Sequence, residues 1–236
     1  MSPVAVGTGP PPAPRPVRSR RRPARARRRV LAVAGAAVAF LVVGNLAILA
    51  SSVAARALGS GPPARMPGVA KFAVVDDRVW RGAAPTPEGY RNLARRGAAV
   101  VVDLRAEDGI APEQAEAEAQ GLAVVRLPVR DGQVPSEAQV AAFLDVVAAA
   151  PGPVFVHCGA GVGRTGALVG AYAVASGSRT PLEALADNLA LGPPSLEQLA
   201  FVGGAGVGRL ADPGPVVTAV SRALDGPRRL WHVLGL

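Results

Sequence analysis

Residues 154–166 read VFVHCGAGVGRTG, an apolar run of β-forming residues that ends in His157 and the chain's only cysteine, Cys158. Five uncharged residues follow, Gly159, Ala160, Gly161, Val162 and Gly163, and then Arg164, Thr165 and Gly166. Glycines let a backbone curl until successive N–H groups face one point, which makes an anion nest, and a helix starting there adds its positive pole. Arg164 can close the ring as a bidentate fork on two oxygens of a tetrahedral oxyanion. The same field favours the thiolate of Cys158 near neutral pH. A thiolate at the floor of a phosphate cradle is placed for in-line attack on phosphorus.

Such a loop needs a strand to end it and a helix to begin after it, and the flanking residues supply both. AAVVVDL at 98–104, GLAVVRLPV at 121–129 and PVFVH at 153–157 read as strands buried on both faces. FAVVDDRVWRG reads as a β-hairpin turning at Asp76-Asp77. Helices are expected between the strands. One starts at Thr86 as N-cap with Pro87 behind it and stops at Gly97; another covers 112–120. Three more open with capping boxes, Ser136 with Gln139, Thr180 with Glu183 and Ser195 with Gln198, and GRTGALVGAYAVASG is a further helix. Strands alternating with helices predict an α/β fold whose largely parallel central sheet is flanked by helices. Ligands in such sheets bind at the C-terminal ends of the strands, where Cys158 falls.

The charge of the chain is uneven. Net charge is +9, but residues 1–29 hold nine arginines and no acid, which leaves 17 basic and 17 acidic side chains for the rest. The basicity therefore belongs to the tail, and no nucleic-acid-reading motif is present, so nucleic acid is not the expected partner. Residues 1–29, rich in Pro and Arg, read as a disordered tail. Val30 to Ala50 carries no charge and spans roughly 30 Å as a helix, about one hydrocarbon core. Residues 30–53 are accordingly expected to be a transmembrane helix, with a cleaved signal peptide as the alternative reading, because Ala55-Arg56-Ala57 has the look of a cleavage site. The arginine flank should stay cytoplasmic and place the catalytic part outside the cytoplasm. Residues 54–68 read as a linker, 69–210 as the catalytic domain and 211–236 as a tail, with a short amphipathic helix around RRLWHVLGL. His157 and His232 lie far apart, and one cysteine allows no disulfide, so a metal centre is not expected.

His-Cys, five residues, then Arg-Thr-Gly resembles the signature of the cysteine-dependent protein tyrosine phosphatase superfamily. The compact size and order of elements resemble its dual-specificity-like branch. The resemblance covers about Val69 to Val207, and VWRGAAPTPEGYRNLARRGAAVVVDLR resembles the opening of microbial members. It implies that Cys158 is the nucleophile forming a phosphocysteine and that Arg164 binds the equatorial oxygens. It further implies that Thr165 assists thiolate departure and that His157 tunes the loop. Neither metal nor organic cofactor is called for. The leaving oxygen needs a proton, so a general acid is required. The family's acid is an aspartate on the loop after the preceding strand, a place matched by Asp131, 27 residues before Cys158, with Glu107 and Asp108 as rivals. Asp103 and Arg105 either line the pocket or form a structural ion pair.

A GxGxxG pattern is formally present at 161–166, but no strand ending in an acid follows some twenty residues on, as a dinucleotide site requires. A P-loop NTPase would need Gly-Lys-Ser/Thr. The expected function is a membrane-anchored phosphatase acting on protein phosphotyrosine or with dual specificity. The uncharged loop speaks for a single phosphoryl group on protein; the anchor speaks for a lipid phosphate as the alternative. A tethered phosphate-binding module without turnover is the third reading.

Overall fold

The computed structural model describes residues 22–58, 64–107, 111–206 and 209–233, with the backbone alone for 22–26 and 227–233. The described residues up to Phe40 and those from Leu41 onward fall into two compact units. The second holds a five-stranded sheet: β1 (Ala73–Val74), β2 (Val79–Ala83), β3 (Val100–Arg105), β4 (Ala123–Val129) and β5 (Val154–Cys158), in the order β1-β2-β5-β3-β4. β1 and β2 form the expected antiparallel hairpin, and every other pairing is parallel.

β5 sits at the centre with all five residues buried, and β3 beside it buries all six. Side chains alternate across a strand, so β5 serves two cores. Val154, Val156 and Cys158 point with Val100 and Val102 into one, which α4 (Glu137–Ala149), α5 (Gly163–Ala175) and α7 (Leu196–Gly203) complete through Phe143, Leu168 and Phe201. Phe155 points the other way, into a core with Val101, Phe72, Trp80 and Leu93 that α2 (Pro87–Arg95) and α3 (Ala111–Ala119) cover. β4 is not buried on both faces as expected. It is the edge strand, with Leu127 and Val129 buried and Ala123, Arg126 and Pro128 exposed, because it has a neighbour on one side only.

The helix starts are where the capping chemistry puts them. Thr86 caps α2, and all three expected boxes form, on α4, α6 (Pro181–Leu191) and α7. Each satisfies N–H groups that a helix leaves orphaned at its first turn.

The N-terminal helix α1 (Arg22–Leu58) is longer than its apolar run: it begins inside the stretch read as a disordered tail and ends inside the stretch read as a linker. It is the one described helix long and apolar enough to cross a membrane. Its last turns, within the second unit, bond to the end of α6: buried Ser52 donates to Leu189 O at 2.6 Å, and Arg56 donates to Ala190 O at 2.9 Å and Leu191 O at 3.1 Å. A cation on the last carbonyls of a helix meets both orphan acceptors and the negative pole. The C-terminal segment forms a helix, α8 (Gly214–Val233), longer than the short one expected, and its buried Ser221 accepts from Glu197 N at the start of α7.

Candidate active site

Cys158 ends β5 opposite Ala83, the last residue of β2, and is 3 % exposed. The loop that follows is fixed from outside by its carbonyls. Gly159 O accepts from Ala84 N at 3.1 Å, Ala160 O from Lys71 Nζ at 3.2 Å, Gly161 O from Arg81 Nη2 at 2.9 Å, and Val162 O from Gly166 N at 2.8 Å. Four consecutive carbonyls are thus bonded away from the loop centre. In a planar trans peptide the N–H points opposite the C=O, so the outward carbonyls turn the amides inward. Gly161 makes this curl possible. Its φ is +70°, and a Cβ there would lie 2.4 Å from Ala83 N and Gly82 C.

Arg164 enters on the first turn of α5 and is 5 % exposed. Its Nη1 donates to Glu107 Oε2 at 2.8 Å and to Val129 O at 3.2 Å, which sets the plane of the guanidinium. Its Nε is buried without a hydrogen bond and lies 3.5 Å from Asp131 Oδ1. Burial alone would lower the Arg164 pKa, but Glu107, the Cys158 charge and Asp131 outweigh it and hold it above the ordinary value. Thr165 is fully buried, and its Oγ1 has no hydrogen-bond partner.

The structure separates two of the three candidate acids. Burial tends to raise Glu107, but the hydrogen bond from Arg164 prevails and leaves its carboxyl below the ordinary range. A group held ionised is a poor proton donor. Asp131 sits beside the Arg164 Nε, on the turn 130–133 that Gln133 N closes onto Arg130 O at 3.1 Å, with Gly132 at φ +77°. Asp108 lies outside the described residues. Asp103 and Arg105 form an ion pair, Nη2 to Oδ2 at 2.8 Å, and Arg105 also pairs with Glu113 at 2.6 Å. Burial works to raise Asp103, yet the Arg105 hydrogen bond and the nearby histidine keep its carboxyl below the usual value.

His157 is buried against Phe155, rings 5.8 Å apart, and its Nδ1 lies 3.2 Å from Cys158 O. Burial lowers its pKa below 6.5 against the opposing pull of Asp103, which keeps the ring neutral at neutral pH.

Several residues that hold this site do not stand out in the sequence. Arg81 in β2 is 4 % exposed and reaches both Gly161 O and, at 3.0 Å, Asn188 Oδ1 of α6. Burial pushes its guanidinium down to about 10, against the opposing charge of Cys158, so it stays protonated near neutral pH. Asn188 in turn packs on Gly166, where any Cβ would overlap its side chain. Lys71 is the only lysine in the chain and holds a left-handed φ of 53°. Burial and Arg56 lower its pKa, while the Cys158 charge raises it. A charged residue inside an otherwise buried short strand was the one visible signal for Arg81.

Residues 69–203 match a family model described as "DSP-PTPase phosphatase fused to NAD+ Kinase". Among curated proteins, the chain is 38 % identical over 96 residues to a probable chloroplastic NAD kinase 2 of Oryza sativa subsp. japonica, a match covering 38 % of this chain and 10 % of that protein. It is 43 % identical over 56 residues to the dual specificity protein phosphatase CDC14B of Mus musculus, covering 24 % of this chain and 12 % of that one. The chain thus spans about a tenth of the length of these relatives. Among solved structures, P. aeruginosa TpbA superposes with a TM-score of 0.52 at 24 % identity, over 69 % of this chain and 94 % of that one. The core catalytic domain of the PP-IP phosphatase SIW14 from S. cerevisiae, solved with citrate, gives 0.51 at 17 % identity, over 62 % and 88 %. Both likenesses bear on the fold alone.

Proposed function

This chain belongs to the family of dual-specificity-type, cysteine-dependent protein tyrosine phosphatases, and on that premise we propose that it hydrolyses phosphate monoesters on protein through a phosphocysteine at Cys158. The observation that carries the reading is the loop with four outward-bonded carbonyls between a buried cysteine and a buried arginine whose Nε has no hydrogen-bond partner. In this reading the inward amides and Arg164 hold the three non-bridging oxygens. Cys158 Sγ attacks phosphorus while Asp131 gives its proton to the departing ester oxygen. Asp131, now a carboxylate, then takes a proton from water as the hydroxide displaces the thiolate and inorganic phosphate leaves. Thr165 Oγ1, buried and without a partner, is available to the returning thiolate.

The short match to a dual specificity protein phosphatase supports a protein substrate. A lipid phosphate is the second reading, favoured by the apolar helix α1, whose last turns bond to the end of α6 in the same unit as the loop. We read that helix as a membrane anchor with the catalytic part extracytoplasmic. The purified full chain should hydrolyse a small aryl phosphate without added metal, and Cys158→Ser should be inactive. Inactivity of both, with phosphate still raising Tm, would turn the reading to a tethered binding module. Faster turnover of phosphatidyl phosphates in vesicles than of phosphotyrosine peptides would move the substrate to lipid.

A further inference from the structure

The three capping boxes of this chain have the same sequence logic but different reach. In the α6 box the Thr180 hydroxyl donates to its own partner, Glu183 Oε2, at 2.9 Å, and both residues face solvent. In the α7 box Ser195 Oγ still accepts from Gln198 N, but it donates to Gly132 O at 2.8 Å, 63 residues back in the chain. Gln198 Oε1 accepts from Ser195 N at 2.9 Å, which leaves Nε2 to donate to Gln133 O, also at 2.9 Å. Ser195 is 2 % exposed and Gln198 1 %. Gly132 and Gln133 are the two residues after Asp131. The carboxamide of Gln198 also lies against the first residue of α5, since a Cβ at Gly163 would come within 2.6 Å of Oε1. One side chain therefore touches the turn of the acid and the residue before Arg164.

We propose that Ser195 and Gln198 are positioning residues for the proton transfer: they hold the turn 130–133 at a fixed distance from α5, so that the Asp131 carboxyl faces the leaving oxygen beside the Arg164 Nε. This rests on the reading of Asp131 as general acid. Two buried donors on adjacent carbonyls remove the freedom of a turn that would otherwise move as a surface loop. An acid matters in proportion to how badly the leaving group needs its proton. The clamp therefore has a signature that a merely structural role lacks.

The experiment compares kcat/KM of the full-length protein on an aryl phosphate with a strongly acidic phenol and on an alkyl phosphate. Ser195→Ala and Gln198→Met should each lose about tenfold or more on the alkyl ester and little on the acidic aryl ester, with the alkaline limb of the pH profile displaced. Ser195→Thr, which keeps the donor, should restore both. Thr180→Ala, which removes an equivalent cap that does not reach the turn, should change neither ratio nor profile. Asp131→Asn is the reference and should show the same leaving-group dependence in stronger form. Equal losses on both substrates in the Ser195 and Gln198 variants, with Asp131→Asn behaving as expected, would overturn the clamp alone. No leaving-group dependence in Asp131→Asn would overturn the acid assignment, and the clamp with it, while the thiolate chemistry would stand on Cys158→Ser.

Discussion

The two sides of the cradle are held by different kinds of contact. The loop 159–163 is tied through its own backbone, carbonyl by carbonyl, to Ala84, Lys71, Arg81 and the first turn of α5. The turn 130–133, which carries Asp131 beside Arg164, closes on itself with one hydrogen bond and is held by two side chains from the start of α7. The loop is packed so tightly that a single methyl group has no room at Gly161. The turn carries Asp131 with its side chain 45 % exposed. On the proposed roles, the nucleophile and anion nest must be rigid to be preorganised, whereas the acid must meet leaving groups of varied shape. Damage to the first side should remove catalysis for every substrate, and damage to the second should show only where the leaving group is basic.

The largest effect that sharpens this contrast is expected at Gly161. Gly161→Ala combines a positive φ with a Cβ 2.4 Å from β2 backbone. It should lower kcat/KM at least about a hundredfold on acidic and basic leaving groups alike, since small displacements of preorganised groups cost that much. A substrate-dependent loss would break the distinction between the two sides.

Next comes Arg81, whose Nη2 bonds the loop carbonyl of Gly161 and Asn188 Oδ1. Arg81→Met leaves two buried acceptors without their donor, at a cost of about 1–3 kcal/mol each. The expected outcome is a lower Tm and roughly a tenfold loss of kcat, again for all substrates, read by thermal melts and aryl phosphate turnover.

The smallest effect is in the pH dependence of stability. His157 has a folded pKa below 6.5, so below that pH the unfolded chain binds a proton that the folded protein does not. Its contribution to stability is therefore complete above about 6.5 and declines as pH falls towards the folded value. The wild type should lose Tm between pH 7 and 5, and His157→Gln should flatten that loss. An unchanged slope would show that the histidine is not held neutral by burial.

The legibility of the sequence follows the same division. The strand-loop-helix around Cys158 is local in the chain, so VFVHCGAGVGRTG displays its cysteine, its glycines and its arginine together, and the capping boxes place the helices within a residue or two. The place of Asp131 on the turn after β4 was legible, but the hydrogen bond of Glu107 to Arg164 was not, because the two lie 57 residues apart. Asn188 and Gln198 were not legible as parts of the site, because each acts across tens of residues and their types are ordinary at those positions, and Arg81 offered only its charge within an apolar strand. Sequence periodicity likewise made β4 look like an interior strand. Its place at the edge depends on strand order, which no local pattern encodes. Where α1 runs on into the stretch read as a linker, Arg56 bonds to the end of α6, another contact between distant segments.

The central claim is a covalent phosphoryl transfer to the only cysteine in the chain. The most direct measurement is rapid-quench mass spectrometry of the peptide carrying Cys158 during turnover of an aryl phosphate. The account predicts a phosphoryl group on Cys158 within the first turnover, absent in Cys158→Ser. Turnover that proceeds with Cys158 never phosphorylated would contradict it.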